Sequence, residues 1–166
     1  MRAAATGITV RVYAPADRAA CMAIFDSNVP RYFTPEERAQ FGAWLDAPPG
    51  PYFVLTDAAD QLVGCGGYAV GRAPGRADLC WGMVRAERQG EGLGHRLTRE
   101  RLRRAVADPD VRSLALTTSQ HTRGFYERLG FRVTRVVPDG FGAGLDQCDM
   151  VLAATEMSAR GEMPPS

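Results

Sequence analysis

The sequence predicts an α/β fold: a mixed central sheet of about six to seven strands flanked by about four helices. Three observations predict it. Short apolar stretches alternate with polar residues at the period of a half-buried strand, as in Ile8, Val10 and Val12 against Thr9 and Arg11. Between such stretches lie segments with helical spacing and helical punctuation. The longest element, Trp81 to Ala105, starts as a strand, turns through Gly90, Gly92 and Gly94, and continues as an arginine-rich helix.

In chain order, the strand Ile8–Val12 is followed by a helix from about Pro15 that places Ala20, Cys21, Ile24 and Phe25 on one face and stops near Asn28-Val29-Pro30. The next helix has Thr34 as N-cap, Pro35 in the first helical position and Glu37 completing a capping box. Phe41, Trp44 and Leu45 form its stripe, and Pro48-Pro49-Gly50-Pro51 ends it. Tyr52–Thr56 and Leu62–Val70 pair as strands around Asp57-Ala58-Ala59-Asp60. Gly64, Gly66 and Gly67 weaken the second of these, which predicts a bulge or a group approaching the backbone closely. Asp78–Val84 is a strand, and the glycine turn leads to a helix ending near Ala107. The stripe of that helix, Leu97, Leu102, Ala105 and Val106, is interrupted by Arg101. Ser113–Thr117 is a strand, Thr122–Leu129 a helix closed by Gly130, and Phe131–Val137 and Cys148–Leu152 the last strands, separated by a long glycine-rich loop from Pro138 to Gln147. One domain is expected over residues 1–153, with a flexible tail over 154–166.

Composition narrows the function classes. At 166 residues with 45% apolar content, the chain can bury one sizeable core. A net charge of +1 gives no global field for nucleic acid or an anionic membrane. The helix carrying Arg96, Arg99, Arg101, Arg103 and Arg104 has no interleaved aromatic platform, so it is expected as a solvated face and not as a nucleic-acid surface. All 20 basic residues are arginine, so no lysine side chain is present to be acylated. Cys21, Cys65, Cys80 and Cys148 form no C-x-x-C pair, and His95 and His121 stand apart, so no metal site is expected. No run approaches a membrane span, no signal peptide is seen, and free thiols point to the cytoplasm.

The glycine turn carries chemistry. Glycine lets the backbone turn tightly and approach a ligand, and the first N–H groups of a helix have no intrahelical partner. With the positive end of the helix dipole, a strand, a glycine turn and a helix start form an anion site suited to phosphate or pyrophosphate. A dinucleotide site is disfavoured, because the third glycine of G-x-G-x-x-G would fall at His95 and the strand ending at Thr117-Thr118-Ser119 lacks the acidic ribose partner. No Walker lysine is present.

Gln89-Gly90-Glu91-Gly92-Leu93-Gly94 resembles the Q/R-x-x-G-x-G/A signature of the GNAT acyl-CoA-dependent N-acetyltransferases, and Gly124-Phe125-Tyr126-Glu127-Arg128-Leu129-Gly130-Phe131 resembles that family's F-Y-E-K-L-G-F segment. The order of elements is similar over nearly the whole chain. The resemblance implies the GNAT fold, with acetyl-CoA as co-substrate and no metal. It implies that Met83 and Val84 hydrogen-bond the pantetheine arm through their backbone. The N–H groups of Gln89, Gly90, Glu91, Gly92, Leu93, Gly94 and His95 would cradle the pyrophosphate. Tyr126 would be the general acid to the leaving thiolate; an ordinary tyrosine with pKa about 10 holds that proton at neutral pH. By helical geometry Phe125 is expected in the core and Tyr126 toward the cofactor. The acceptor would be a small-molecule or peptide amine, and a homodimer is possible by the same resemblance. A module of this fold that binds acyl-CoA without turnover is the alternative.

Two positions depart from the family pattern. Ser119 stands where asparagine is frequent, so any contact from it to CoA would be made differently. Leu79-Cys80-Trp81-Gly82 has no carboxylate where some members place a base, and Asp26, Glu36, Glu37 and His121 are the other groups that could deprotonate an amine of pKa about 10.4. Asn28, Arg31, Tyr32, Phe33 and Phe41, with Trp81 and the Phe141–Leu145 loop, would form the acceptor wall, suited to a small amine with an apolar or carboxylate portion. Ordinary core packing is the alternative for Phe33 and Phe41.

Overall fold

A computed structural model describes residues 7–70, 73–153 and 155–156. The tail expected from residue 154 lies outside the described residues apart from 155–156. Seven strands, β1 (Thr9–Val12), β2 (Tyr52–Thr56), β3 (Leu62–Val70), β4 (Arg76–Val84), β5 (Ser113–Thr118), β6 (Arg132–Gly142) and β7 (Leu145–Ala153), form one mixed sheet in the order β1-β2-β3-β4-β5-β7-β6. Four helices accompany them: α1 (Arg18–Ser27), α2 (Glu37–Asp46), α3 (Leu93–Ala107) and α4 (Arg123–Arg128). The described residues fold as two compact units, one comprising those up to Tyr68 with Cys80–Leu102, the other those of Ala69–Leu79 with those from Arg103 to 156.

In the first unit β1, β2 and β3 are antiparallel, with Val10 opposite Leu55 and Val54 opposite Cys65. Strand alternation sends successive side chains to opposite faces. One face carries Tyr52, Val54, Cys65 and Met83 and packs on Cys21, Ile24, Phe25, Phe41 and Leu45 of α1 and α2. The other carries Leu55 and Val63 and packs on Ile8 and on Leu93 and Leu97 of α3. Phe25, Phe41 and Ile24 are fully buried, each contributing about 1.5–3 kcal/mol of hydrophobic stabilisation.

The start of α1 is fixed by charge. Pro15–Asp17 form a single 3-10 turn, so the α-helix begins three residues later than Pro15 suggests. Both Asp17 oxygens accept Arg11 N–H groups at 2.8 Å, and Oδ2 also accepts the Ala14 N–H at 2.8 Å. These bonds hold the Asp17 carboxyl below the usual carboxylate range despite its burial. α2 also begins later than expected, at Glu37. The Glu37 carboxylate does accept the Thr34 N–H at 2.7 Å, but the Thr34 hydroxyl bonds that same carboxylate at 3.3 Å and does not cap the backbone. Residues 34–38 close by i to i+3 bonds, Glu37 N–H to Thr34 C=O and Arg38 N–H to Pro35 C=O, so a tighter turn precedes the α-helix.

In the second unit β4 runs parallel to β5 over Arg76–Asp78, and β5 is antiparallel to β7 along its whole length. The expected loop from Pro138 to Gln147 is largely strand: β6 continues to Gly142 and β7 begins at Leu145. The hairpin is made possible by positive φ at Asp139 (54°), Gly142 (143°) and Gly144 (81°), which hides strand continuity from a reading based on glycine content. β4 likewise starts at Arg76, two residues before the expected Asp78. α4 ends as predicted at Gly130, whose φ is 100°. The Phe131 N–H bonds the Tyr126 C=O at 3.1 Å and the Gly130 N–H bonds the Glu127 C=O at 3.0 Å, the pair of bonds that defines a Schellman cap. The four cysteines form no disulfide; Cys21, Cys65 and Cys148 are buried and Cys80 is partly exposed.

Candidate functional site

The first unit carries the strand–turn–helix unit. β4 ends at Val84, a 3-10 turn covers Ala86–Arg88, and α3 begins at Leu93. Gly90 (φ 85°) and Gly92 (φ 79°) hold left-handed conformations that a side chain would strain. Gly94 differs: it lies within α3, its φ is ordinary, and an added Cβ would meet only Val84 Cγ2 at 3.8 Å. Its small size is therefore not required by the fold. Leu93, 1% exposed, seats the helix start on Leu55, Val63 and Leu97. His95 follows in the first turn, partly buried, and the 15-residue helix makes its first intrahelical bond from the Arg96 N–H to the Gly92 carbonyl at 3.1 Å, so the positive end of its dipole lies at the loop.

Polar side chains clamp this loop to the strand and to α1. Asn28 is 3% exposed; its Nδ2 donates to the Ile24 and Val84 carbonyls, both at 2.9 Å, and its Oδ1 accepts Gln89 Nε2 at 2.8 Å. Ser27 Oγ accepts the Ala86 N–H at 3.1 Å. Arg88 bonds Asp57 at 3.0 Å and Glu91 at 2.8 Å, tying the loop to the β2–β3 turn. Asn28 is thus a buried clamp and not part of an acceptor wall. Its role is invisible in sequence because its partners are a backbone carbonyl and an amide 56 and 61 residues away.

β4 deforms at Trp81, beyond the end of its pairing with β5 at Asp78. Trp81 has φ 47°, a left-handed conformation that is an outlier for a bulky residue in a strand. Its carbonyl accepts the Tyr52 hydroxyl at 2.8 Å. Burial pushes that hydroxyl well above the ordinary tyrosine range, so it stays protonated and donates. Around Trp81 lie Phe41 (ring centroids 5.1 Å apart), Phe33 (5.9 Å) and Phe25 (6.4 Å). Phe25 and Phe41 are fully buried, so Phe41 belongs to the core, whereas Phe33 and Trp81 are half-buried. Arg31 lies over the Tyr32 ring at 5.2 Å.

The arginine face of α3 is not uniformly solvated. Arg96, Arg99 and Arg103 are exposed, but Arg101 is 2% exposed and is among the largest fully buried side chains. It occupies the inward position that follows Leu93 and Leu97 at four-residue spacing. Gly66 of β3 makes room for it, a role the glycine content foretold without naming the visitor: a Cβ there would lie 3.3 Å from Arg101 Nε and 3.2 Å from Leu97 Cδ2.

In the second unit, Tyr126 sits on α4, half-buried, its ring edge-on to Phe125 at 5.0 Å and to Phe131 at 5.8 Å. Phe125 is half-buried too, so the expected division into a core phenylalanine and an outward tyrosine is replaced by Phe131 (3%) and Leu129 (5%) as the buried pair. Ser119 is 4% exposed, and its Oγ accepts the His121 N–H at 3.3 Å while its carbonyl accepts Thr122 and Arg123 N–H groups. That bond braces the turn into α4 and leaves the hydroxyl its own O–H to donate. The hydroxyls of Thr118 and Thr122 are bonded to each other across the same turn. Of the candidate bases, Asp26 pairs with Arg38 at 2.8 Å, Glu37 is bound at Thr34 with its carboxyl pushed up by burial, and Glu36 and His121 are exposed. No cluster of metal-ligating side chains occurs among the described residues, and no helix among them is long and apolar enough to cross a membrane.

The sequence profile described as Acetyltransferase (GNAT) domain matches residues 36–154. Among solved structures, a protein assigned to the GNAT acetyltransferase family from Desulfovibrio desulfuricans superposes with TM-score 0.76 at 28% identity, covering 89% of this chain and 99% of its own. A spermidine N-acetyltransferase from Vibrio cholerae superposes with TM-score 0.73 at 17% identity, covering 95% of this chain and 99% of its own. An aminoglycoside 6'-N-acetyltransferase complexed with coenzyme A gives TM-score 0.71 at 17% identity, over 88% and 97%. No curated protein matches the sequence.

Proposed function

We propose that this chain, which belongs to the GNAT acetyltransferase family, moves an acetyl group from acetyl-CoA to an amine of a small molecule or peptide. The observation that carries the proposal is the strand–turn–helix unit: left-handed Gly90 and Gly92, a clamped loop and the positive end of the α3 dipole would make an anion cradle at the end of β4. The N–H groups from Gln89 to His95 would hold the pyrophosphate. The pairing of β4 with β5 covers only Arg76–Asp78, and the later part of the strand would meet the pantetheine arm through Met83 and Val84. With the Val84 carbonyl committed to Asn28, Val84 would offer its N–H. A described relative of this fold is complexed with coenzyme A, which supports the choice of carrier.

In the proposed reaction a neutral amine nitrogen attacks the thioester carbonyl, the C–N bond forms and the C–S bond breaks. Tyr126 gives its phenolic proton to the departing thiolate, and the surplus proton of the amine returns to Tyr126 through water. Two relatives of this fold are named for spermidine and for aminoglycosides. In this chain the acids Asp17, Asp26 and Asp46 of the helical wall each face an arginine, and the half-open rings are Phe33 and Trp81. The two rings suit an amine with an apolar portion.

Calorimetric titration with acetyl-CoA, with NAD as control, tests the carrier; silence with acetyl-CoA would sink the proposal. Thiol release over an amine panel then tests turnover. Tyr126→Phe is expected to lower kcat about 10²-fold with acetyl-CoA affinity unchanged; undiminished turnover would remove Tyr126 from the acid role. A non-catalytic carrier-binding module is the second reading, favoured by the absence of a carboxylate in Leu79–Gly82, and binding without thiol release would select it.

A further inference from the structure

We propose that Arg101, buried beneath the sheet, is a positioning residue that sets the shape of β4 where the carrier's arm would bind; this rests on the cofactor reading above. The position is one where an apolar residue would be expected. Leu93, Leu97 and Arg101 fall on one line of α3, and the two leucines are each 1% exposed and pack on the sheet. A guanidinium at 2% exposure in that line is expensive to desolvate. Its presence coincides with two glycines on the facing strands.

Those glycines form a notch around the guanidinium. A Cβ on Gly82 would stand 2.6 Å from Nη2, 2.7 Å from Nη1 and 2.9 Å from Cζ of Arg101, so the fork covers the bare Cα of that residue. A Cβ on Gly66 would be 3.0 Å from the Gly82 Cα and 3.3 Å from Arg101 Nε. Arg101 Nη2 also donates to Thr98 Oγ1 at 3.2 Å, and Thr98 is 1% exposed, which fixes the fork relative to its own helix. The preceding residue, Trp81, is the left-handed one, and its carbonyl is held by the Tyr52 hydroxyl at 2.8 Å. Tyr52 belongs to the cluster on the α1–α2 face and Arg101 comes from α3, so residues 81 and 82 are gripped from both faces of the sheet. Met83 and Val84 follow at once. Arg101 therefore links the helix whose start would hold pyrophosphate to the strand edge that would hold the arm.

The test compares two ligands on the whole protein: acetyl-CoA, which has the arm, and 3'-phospho-ADP, which has the pyrophosphate and no arm. In Arg101→Met, with folding checked by circular dichroism, acetyl-CoA affinity is expected to fall about tenfold and 3'-phospho-ADP affinity to stay within about twofold. KM for acetyl-CoA should rise with kcat nearly kept, and Arg101→Lys should recover little because a point charge lacks the fork. Gly82→Ala, which leaves the arginine in place but drives a methyl into it, should reproduce the acetyl-CoA defect. Gly82→Ala combined with Arg101→Met should be milder than the sum of the two, since one clash is relieved. Unchanged acetyl-CoA binding in folded Arg101→Met or in Gly82→Ala, or equal loss of both ligands, would overturn the positioning role. Failure of the wild-type protein to bind either ligand would instead overturn the cofactor reading.

Discussion

Glycines crowd two regions of this protein, and they do different work in each. On β3 and β4, Gly66, Gly67 and Gly82 have ordinary strand conformations, and each is small because something occupies the place of its side chain. At Gly67 a Cβ would lie 2.2 Å from the Pro51 carbonyl oxygen; at Gly82 it would strike the Arg101 guanidinium. At the tip of the β6–β7 hairpin, Gly144 has nothing within 4 Å of an added Cβ, yet its φ is 81°. There the residue is small because the backbone is left-handed. One residue type thus answers two demands, cleared volume and backbone freedom, and only the neighbours distinguish them. Gly140, in the same hairpin, belongs with the first group, since its Cβ would approach Gln147 Cβ to 2.6 Å.

The contrast can be broken by substitution. The largest effect is expected for Gly67→Ala, where the obstacle is backbone and cannot rotate away. A loss of about 3 kcal/mol, the upper range for overpacking, should appear as a shifted denaturant midpoint. Gly144→Ala should cost about 1 kcal/mol, the ordinary penalty for a Cβ at positive φ, and Gly144→Asn less, because asparagine tolerates that region. If Gly67→Ala and Gly144→Ala cost the same, the distinction between volume and conformation fails. Gly94→Ala gives the smallest shift and the opposite sign. A helical glycine with room for a Cβ, here in ordinary contact with Val84, should stabilise by about 0.5–1 kcal/mol when replaced by alanine. Should acetyl-CoA binding weaken in that more stable variant, the glycine is kept for the ligand and not for the fold.

Much of this architecture was legible in the sequence because local and global signals agree. The alternation around Val10, the stripe at Phe41 and Leu45, and the cap at Gly130 each depend on neighbours a few residues away. The glycine loop and F-Y-E-R-L-G-F were legible for the same reason and led to the family now supported by the domain match over residues 36–154. Features made by distant partners were not. Arg101 reads as a flaw in a helical stripe or as one more solvated arginine until Gly66 and Gly82 are brought beneath it. Asn28 reads as the residue that ends α1, while its amide in fact joins Val84 and Gln89. The β6–β7 hairpin was concealed by its own turn residues, since glycine and aspartate at positive φ look like loop whether or not strands flank them.

The seclusion of the cysteines has a practical side. Three of the four cysteines, Cys21, Cys65 and Cys148, are buried, and the remaining one, Cys80, is partly exposed on β4 directly before Trp81. A thiol-directed dye should therefore attach to one position and tag the very strand assigned to the carrier's arm. The labelled protein would report cofactor docking by its own change in light emission, with no acceptor needed.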